Sequence, residues 1–550
     1  MSVIRTLRTI RHLQTRQIVG QLRNRLRPFV ERPTPFFQQA VPERAECRWP
    51  SAPKFLAPGA QENTAADLSV GQLTFVGEEA SIGWPPADWR VPALPKLWQY
   101  NLHYFEWLWA LDFDDARTIT LDWIERHPLD RKQVGWEPYP TSLRLMNLTA
   151  VFFGRYRQET ETDEAFHQAL WRSIYLQAGW LQSHLETHLL GNHLFENGAA
   201  LAFTGSCFSG AVAQGWLETG LNVLRDELPE QIPGDGMHFE RSPMYHSRMV
   251  YLFQLLLATD HGAIASVLDP LADRVTRALA MLCHPDGDIA LLNDSAFGIY
   301  SPPKDLLPPE VEHSVGPWAL PDGGYFGGRT AEGTYLICDA GDVGPDYIPG
   351  HAHGDIFSYE LSLAGHRVVV DSGVYDYVPG AMRAYCRSTA AHNTVSIEDQ
   401  DQCEFWGAFR VARRGKPHEV MWTPAPEGFQ LTGWHDGYHR LPGKPTHHRE
   451  FRWQEGQGLT VRDRISASQP VKSVTRVHLH PLCRVKLTGP REATITYAAG
   501  TFRVVFVGSG TLTVETTWYC PQFGRKEENA TLAFTMEGKE SEVTYSVIPD

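Results

Sequence analysis

A change in hydrophobic period divides this 550-residue chain and limits its fold more than any other feature. Between Leu94 and about Tyr300, apolar residues recur near every 3.6 positions, as in DEAFHQALWRSIYLQAGWLQSHL and SRMVYLFQLLLATDH. This pattern is typical of helices with one buried face. From about Pro317 the period becomes two, as in LTVRDRISAS, TFRVVFVGSG and TLTVETTWYC, which is typical of antiparallel strands. The sequence therefore predicts a helical domain followed by a strand-rich domain.

The segments between the predicted helices are short and contain glycine or proline, as in LPEQIPGDG and CHPDGD. Short connections make successive helices antiparallel, and several such hairpins in a row would curl into an α/α toroid. The length and the 42% of apolar residues allow about two to four domains with sizeable cores. We predict an α+β multidomain chain with boundaries at 1–90, 91–310 and 311–550, of which the first is a basic helix with an extended connector.

The N-terminal 30 residues contain seven arginines and no acidic residue. Ile18, Val19, Leu22 and Leu26 have helical spacing, so we predict a basic helix that docks on an acidic body. The alternative is an amphipathic helix on a membrane surface. No apolar core of a secretory signal follows, and no run approaches the roughly 18 apolar residues of a membrane span. We expect a cytoplasmic protein, or a periplasmic or secreted one if the chain is a trimmed form.

The formal net charge of −14 argues against a general nucleic-acid binder. An anionic substrate would then need a local basic cleft within an acidic molecule. The eight cysteines are scattered singly without a CxxC pair, so we expect free buried thiols.

The stretch from residue 349 to residue 393 is unusually rich in groups that can bind a metal or a proton. It contains His351, His353, Asp355, Asp371 and His392. FSYELSL and HRVVVDSG read as two strands of a hairpin, which would bring His353 near Asp371, and His392 could join them from a neighbouring strand. Two imidazoles and one carboxylate form a common zinc ligand set. The alternative is the iron triad of His353, Asp355 and His392.

Two motifs in the helical region carry further reactive groups. GNHLFENG contains Asn192 and His193, and one helical turn can place His193 beside Glu196 or Asn197. GDGMHFERSPMYHSR places Tyr245 where a proline- and glycine-containing loop enters a helix. Taken singly, Asn192 could be a helix cap and Tyr245 an ordinary core or surface residue.

The order GNH, SPMYH, HAHGD, VVVDSGVYDY and RSTAAHNTV resembles the heparinase II/III-like polysaccharide lyases. The resemblance implies an incomplete α/α toroid followed by an antiparallel β-sandwich that carries the metal site. It also implies a largely structural metal, zinc or alternatively manganese, bound by His353, Asp371 and His392. His351 would point into the substrate cleft.

The implied reaction is β-elimination at a uronic acid, which yields 4,5-unsaturated uronate ends. Removal of the C5 proton creates a dianionic enolate-like species, so hydrogen-bond donors such as Asn192 and His193 must first neutralise the carboxylate. Tyr245 is the candidate acid for the O4 leaving group and, with glucuronate, also a candidate base. His351 is the candidate base from the opposite face. We expect glycosaminoglycans such as hyaluronan, chondroitin or heparan sulfate as substrates.

Candidate substrate-binding residues are aromatic, polar or arginine side chains near predicted loop edges. They are Asn101, His103, Tyr104, Trp136, Glu137, Tyr139, Arg144, Glu196, Arg241, Arg383, Arg387 and Trp406. Many of the aromatics could instead belong to the core. Two other functions remain open. One is a toroidal glycoside hydrolase that uses Asp235 and Glu240 as its carboxylate pair, and the other is a non-catalytic polysaccharide-binding or export-associated protein.

Overall fold

The fold comes from a computed structural model, which describes residues 3–30, 41, 46–49, 53–59, 62–309, 311 and 315–550. Contacts between residues separate the chain into two compact units. The strand unit comprises Met1–His12, Ile232–Ser247 and Arg274–Asp550, and the helical unit comprises Leu13–Gln231 and Arg248–Asp273. Residues 274–310 thus group with the strands, whereas the predicted boundary assigned them to the helical domain. These residues group with the strands because buried side chains among them form hydrogen bonds with strand residues. For example, His284 Nε2 lies 2.9 Å from Glu360 Oε2.

The helices begin and end close to where the 3.6-residue period predicts. Helices α1 to α14 lie, in chain order, at Val3–Ile10, Thr15–Val30, Ala65–Ser69, Lys96–Tyr104, Phe113–Arg126, Pro138–Thr149, Arg157–Thr162, Glu164–Ser183, Gly191–Cys207, Ala211–Gln231, Pro243–Leu257, Gly262–Met281, Pro303–Leu306 and Ala381–Arg387. Side-chain caps start several of them, since Asp112 and Asp163 accept hydrogen bonds from the first turns of α5 and α8.

The helical unit has the packing that short, glycine-containing connections predict. Helix α9 packs on both α6 and α10. A Cβ atom added at Gly205 or Gly220 would collide with the backbone of the facing helix, so these glycines allow α9 and α10 to approach closely. The predicted class, an incomplete α/α toroid with an antiparallel β-sandwich, is confirmed for the two units.

One predicted helix is interrupted. The apolar segment from Lys96 to Asp112 reads as a single helix, but α4 ends at Tyr104 because Phe105 adopts a left-handed backbone conformation with φ 62°. The Phe105 ring is fully buried and packs 4.9 Å from the Trp107 ring and 5.5 Å from the Trp123 ring. Burial of this ring outweighs the helical preference of its neighbours.

The arginine-rich N-terminal segment forms α1 and α2, and three of its arginines contact carboxylates. Within the strand unit, the Arg5 and Arg8 guanidinium groups lie 3.3 Å from Glu404. Within the helical unit, Arg16 lies 2.8 Å from Glu227 and 3.0 Å from Glu230. Docking of a basic helix on acidic residues is thus confirmed. Among the described residues no helix is long and apolar enough to cross a membrane.

The strand unit consists mainly of two antiparallel sheets, whereas the first two strands of the chain pair with each other within the helical unit. Strands β1 to β19 lie, in chain order, at Gln72–Phe75, Glu78–Ser81, Gly316–Leu320, Tyr325–Arg329, Tyr335–Asp339, Tyr359–Leu363, His366–Val369, Val395–Ile397, Phe405–Trp406, Arg410–Val411, Pro417–Ala425, Gly428–His435, Thr446–Gln454, Gly458–His478, Arg484–Gly489, Glu492–Tyr497, Gly500–Gly508, Thr511–Gln522 and Arg525–Pro549. The smaller sheet has the order β3-β4-β5-β6-β7. The larger has the order β11-β12-β13-β14-β19-β17-β16-β15, with β18 on β19 and β8 on β14.

The core of the strand unit lies between these sheets. Leu336 and Tyr359 from the smaller sheet share one buried cluster with Phe451 and Val461 from the larger. Face-to-face packing of this kind defines a β-sandwich. The predicted hairpin is confirmed as β6 and β7, and the predicted strand near residue 73 is confirmed as β1. The rest of the predicted connector lies partly outside the described residues.

Candidate active site and metal centre

Three side chains of the strand unit come together as the hairpin geometry predicts. His353 precedes β6, Asp371 follows β7 and His392 precedes β8. One ligand atom from each lies within 4.8 Å of the other two, and all three residues are fully buried. Ligands from three separate segments converge because β6 and β7 pair directly and β8 pairs with β14. These residues could hold a metal ion.

The hydrogen bonds around this cluster fit a bound cation. His353 Nε2 lies 2.9 Å from Asp294 and His392 Nδ1 lies 2.7 Å from Asp371, while His353 Nδ1 and His392 Nε2 are buried with no protein partner. At His353 a carboxylate outside the cluster, Asp294, holds one ring nitrogen and leaves the other for a metal, which is the usual ligand arrangement. Burial lowers the pKa of His353 to about 3. Burial also acts to lower the pKa of His392, but the adjacent Asp371 carboxylate outweighs it and raises that pKa to about 9. The cluster does not include Asp355, so the iron-triad alternative is wrong.

Asp294 links the metal cluster to the candidate base. Its Oδ2 lies 2.9 Å from His351 Nδ1 and 2.8 Å from Arg383 Nη2, and its Oδ1 contacts His353 and Arg383 Nη1. Burial by itself would raise the pKa of Asp294, but the Arg383 guanidinium and the histidine hydrogen bonds hold that pKa well below its ordinary value. Asp294 is therefore a buried carboxylate that contacts and orients two candidate site histidines.

Tyr245 and His351 lie side by side in the strand unit. Tyr245 is in the first turn of α11, which begins at Pro243, and its backbone N–H donates to Ser242 Oγ at 3.2 Å. The rings of Tyr245 and His351 are 4.0 Å apart, and the Tyr245 hydroxyl lies 3.3 Å from the Tyr377 hydroxyl. The His351 side chain is 13% exposed. The predicted acid and the predicted base thus share one small surface.

A second carboxyl group approaches His351 from the other side of the ring. Glu240 Oε2 lies 3.4 Å from His351 Nε2, and the Glu240 side chain is almost fully buried. Asp235, the other residue of the hydrolase alternative, accepts hydrogen bonds from the Met237 and Gly323 N–H groups. It therefore holds a loop in place, and its pairing with Glu240 as catalytic carboxylates has no support in these contacts.

The helical unit carries Asn192 and His193 at the start of α9. The chain enters this helix through Leu190 and Gly191, which both have a positive φ. His193 Nδ1 lies 3.1 Å from Glu186, a partner that the expected placement of His193 beside Glu196 or Asn197 did not include. Glu186 lies in the loop before α9, which brings its carboxylate to the first turn of that helix. Asn192 lies inside the helix, so it is not the cap.

Glu186 and Glu196 each have a defined partner within the helical unit. Glu186 also accepts a hydrogen bond from Asn197 Nδ2 at 3.1 Å. Burial by itself would raise the pKa of Glu186, but His193 and Asn197 lower it below its ordinary value. Glu196 is 1% exposed and binds Arg248 through two contacts of 2.6 and 3.2 Å. Its predicted role in substrate binding is therefore corrected to a buried ion pair.

Three more predicted binding residues belong to the helical core. His103, Trp136 and Arg144 are at most 2% exposed. The Arg144 guanidinium lies 4.3 Å from the Trp123 ring and donates to Gln177 at 2.8 Å and to the His103 carbonyl oxygen at 3.1 Å. These side chains present no surface to a sugar, because the aromatic cluster encloses them.

Arg383 and Arg387 are also buried, each being 1% exposed. Arg383 binds Asp294, and Arg387 donates to the carbonyl oxygens of Ala352 and Ala408 at 3.1 Å. Their predicted pairing with substrate anions is corrected accordingly, because their charged groups already serve internal acceptors.

The remaining candidates keep at least part of their surface. Asn101, Glu137, Arg241 and Trp406 are partly exposed, whereas Tyr104 and Tyr139 are 7% exposed. The Tyr139 ring lies 4.4 Å from the His193 ring. Sugar binding by these six residues stays a prediction, as does the sharing of one sugar ring by Asn192, Tyr245 and His351.

Sequence reasoning missed Asp294, Glu186 and Tyr377. Asp294 lies in LLNDSAF, where polar residues directly follow an apolar run, and that abrupt change was a usable signal. Tyr377 lies in VYDY, within a motif already singled out. Glu186 had no comparable signal, since a single acid in a polar loop is common.

Comparison with known families covers most of the chain. Residues 116–297 match the family described as heparinase II/III N-terminus, and residues 313–547 match the family described as heparinase II/III-like, C-terminal. The short interval between the two matches, residues 298–312, lies where the hydrophobic period changes.

Individual relatives are distant. A heparin-sulfate lyase of Pedobacter heparinus is 23% identical over 58% of this chain and 53% of its own length, so the chain spans about half of that relative. FtsZ-localized protein C of Caulobacter vibrioides is 24% identical over 76% of this chain and 75% of its own length. The crystal structure of a heparan sulfate lyase mutant from Pedobacter heparinus has a TM-score of 0.64 at 19% identity, covering 88% of this chain and 82% of the other. The last likeness concerns the fold.

Proposed function

Because this chain belongs to the heparinase II/III-like family, we propose that it is a polysaccharide lyase that cleaves glycosaminoglycans by β-elimination at a uronic acid. The family and the heparin-sulfate lyases among its relatives support this substrate class. Hyaluronan, chondroitin sulfate and heparan sulfate are the candidate polymers. The products would carry a 4,5-unsaturated uronate at the new non-reducing end.

The observation that carries this proposal is the pairing of Tyr245 with His351. A phenol and an imidazole whose rings are 4.0 Å apart offer a proton donor and a proton acceptor to a single substrate carbon and its leaving oxygen. Hydrolysis of a glycosidic bond would instead need two carboxyl groups on opposite sides of the sugar.

The hydrogen bond to Asp294 prepares His351 for proton uptake. When Nδ1–H donates to Asp294, the lone pair of the neutral imidazole resides on Nε2. Nε2 can then accept the C5 proton of an iduronate-type residue. The resulting imidazolium lies between the carboxyl groups of Asp294 and Glu240, which stabilise its charge.

Tyr245 is the general acid that protonates the leaving group in this proposal. Its hydroxyl donates a proton to O4 as the C4–O4 bond breaks, and the double bond forms between C4 and C5. With a glucuronate-type residue the C5 proton lies on the other face, and Tyr245 acts there as a phenolate that first removes the C5 proton and then transfers this same proton to O4. The Tyr377 hydroxyl, 3.3 Å away, orients the phenol.

Asn192 and His193 supply the third requirement, which is stabilisation of the uronate carboxylate. The Asn192 amide and the His193 imidazole are donors that suit a developing enolate-like dianion. Glu186 holds the His193 ring through Nδ1, so Nε2 is the nitrogen directed to substrate in this assignment.

We assign zinc to the cluster of His353, Asp371 and His392, with manganese as the alternative, because two imidazoles and a carboxylate suit these ions. When bound, the ion supplies a structural crosslink between three segments of the strand unit.

Chelation is therefore expected to lower the melting temperature of the protein, and added zinc is expected to restore it. A ligand at 100 times its Kd stabilises a protein by about 2.7 kcal/mol. Thermal unfolding with chelator and with added zinc measures this.

The matched control is a buried histidine outside the cluster. His392→Gln should abolish the response of the melting temperature to zinc. His447→Gln, which removes a fully buried histidine that pairs with Asp463 at 2.8 Å, should lower the melting temperature but keep the zinc response. An equal zinc response in the His392 variant and in the wild type would refute the assignment.

The lyase proposal is tested with a panel of hyaluronan, chondroitin sulfate, heparan sulfate and alginate. We expect the ultraviolet absorbance of unsaturated uronate to rise with at least one glycosaminoglycan. New reducing ends without that absorbance would indicate a hydrolase. Binding of a polymer without cleavage would indicate a non-catalytic protein.

A further inference from the structure

Helix α2 packs on the helical unit through its polar face. Gln17 Nε2 donates to the Leu189 carbonyl oxygen at 3.3 Å, and the Asn24 amide lies 2.9 Å from His188 Nδ1. Gly20 lies between them, where a Cβ atom would be 3.0 Å from the His188 backbone. Residues 17, 20 and 24 follow helical spacing and therefore form one face. The docked face is thus polar and small, which is the reverse of an ordinary surface helix.

The apolar face of α2 points away from the protein. Ile18, Val19, Leu22 and Leu26 are 41%, 56%, 53% and 58% exposed. At about 100° per residue they occupy a continuous sector on the side opposite the docked face. Four large apolar side chains on one exposed face form a patch that soluble proteins rarely leave uncovered.

Arginines border this apolar sector. Arg23 and Arg25 are exposed and lie on its two sides by helical spacing. The helix contains no acidic residue, and Arg16 holds it to the body through Glu227 and Glu230. An apolar face with basic edges is the composition of helices that lie in a membrane surface.

Helix α1 of the strand unit also exposes its apolar residues. Ile4, Leu7 and Ile10 are 59%, 62% and 45% exposed. Arg5 and Arg8 contact Glu404 instead. In both helices the apolar residues are exposed, and at least one arginine, Arg5 and Arg8 in α1 and Arg16 in α2, contacts a carboxylate of the same unit.

We propose that the exposed face of α2 binds the surface of an anionic lipid bilayer. The residues that enter the acyl region are Ile18, Val19, Leu22 and Leu26, and the arginines pair with lipid phosphates. A second copy fits this face less well, because a twofold contact would oppose two arginine-bordered helices that have no acidic residue. The net charge of −14 restricts the attachment to this basic segment. The inference does not depend on the proposed lyase activity.

The test measures binding of the full chain to vesicles by flotation. One vesicle set is phosphatidylcholine alone and the other also contains phosphatidylglycerol. We expect the wild type to bind the anionic vesicles, and Val19→Glu with Leu22→Glu to lower the partition coefficient about tenfold or more. Arg23→Gln with Arg25→Gln should lower it roughly fivefold for each arginine and reduce its sensitivity to salt.

Val507→Glu is the matched control. Val507 is 66% exposed on β17, so this substitution makes the same chemical change on another exposed surface and should leave vesicle binding intact. Circular dichroism and melting temperature check that each variant is folded. A wild type that does not bind anionic vesicles overturns the proposal, and so does a Val19 and Leu22 variant that binds as well as the wild type. Light scattering could instead show that the wild type is a dimer, that the Val19 and Leu22 variant is a monomer, and that neither binds vesicles. This result would assign the face to a second copy and would also overturn the proposal.

Discussion

Tyr245→Phe is expected to lower kcat on the cleaved glycosaminoglycan by about 10²–10⁴-fold, which is the usual contribution of a general acid or base. The substitution removes the phenolic hydroxyl that would protonate O4. It keeps the ring that packs 4.0 Å from His351, so the melting temperature should change little. Initial rates from the ultraviolet absorbance of unsaturated product, together with thermal unfolding, measure both effects.

Two other tyrosines separate a catalytic role from a packing role. Tyr377→Phe removes the hydroxyl 3.3 Å from Tyr245, and a positioning role predicts a smaller loss of kcat than Tyr245→Phe causes. Tyr497→Phe, on β16 of the sandwich, should leave kcat unchanged. Full activity of the Tyr245 variant would remove this residue from the mechanism, whatever the other two variants show.

Asp294→Asn is expected to lower the free energy of unfolding by about 3–5 kcal/mol, because it leaves the buried Arg383 without its counter-charge. Asp294 is fully buried and Arg383 is 1% exposed. The same change weakens the acceptor for His351 Nδ1 at 2.9 Å, so lyase activity should fall as well. Urea unfolding at neutral pH measures the stability, and initial rates at low temperature, where the variant is folded, measure the activity.

A double variant and an exposed ion pair provide the controls. Asp294→Asn combined with Arg383→Met removes both charges, so it should recover part of the stability lost in the single variant. Glu542→Gln breaks an ion pair with Arg462 whose side chains are 45% and 50% exposed, and it should have almost no effect because solvent screens that pair. Equal losses in the Asp294 and Glu542 variants would contradict the role of burial.

The elements of this protein could be predicted from short-range pattern. The change of hydrophobic period, predicted between Tyr300 and Gly323, separates most of the helices from most of the strands, and the hairpin before Asp371 followed from alternation and a glycine turn. The gathering of His353, Asp371 and His392 also followed, because pairing of β6 with β7 brings the ends of a hairpin together.

Partners that lie far apart in the chain could not be predicted in this way. Arg144 reads as a surface arginine, yet its position in α6 places it against the Trp123 ring in the core. His193 was assigned a partner one helical turn away, whereas the loop before α9 supplies Glu186. In both cases the spacing of residues predicts neighbours within one helix or strand. It does not predict which other segment packs on that element.

The sequence by itself determined the order of helices and strands, the candidate metal-binding trio, and the arginine-rich amphipathic character of the N-terminus. Only the tertiary structure decided which charges are buried, that Asp294 joins His351 to His353, and that α2 turns its apolar side outward. The physical reason is that periodicity reports how one segment divides its residues between faces. Which face becomes buried, and against which carboxylate, depends on packing between segments that the chain brings together only after it has folded.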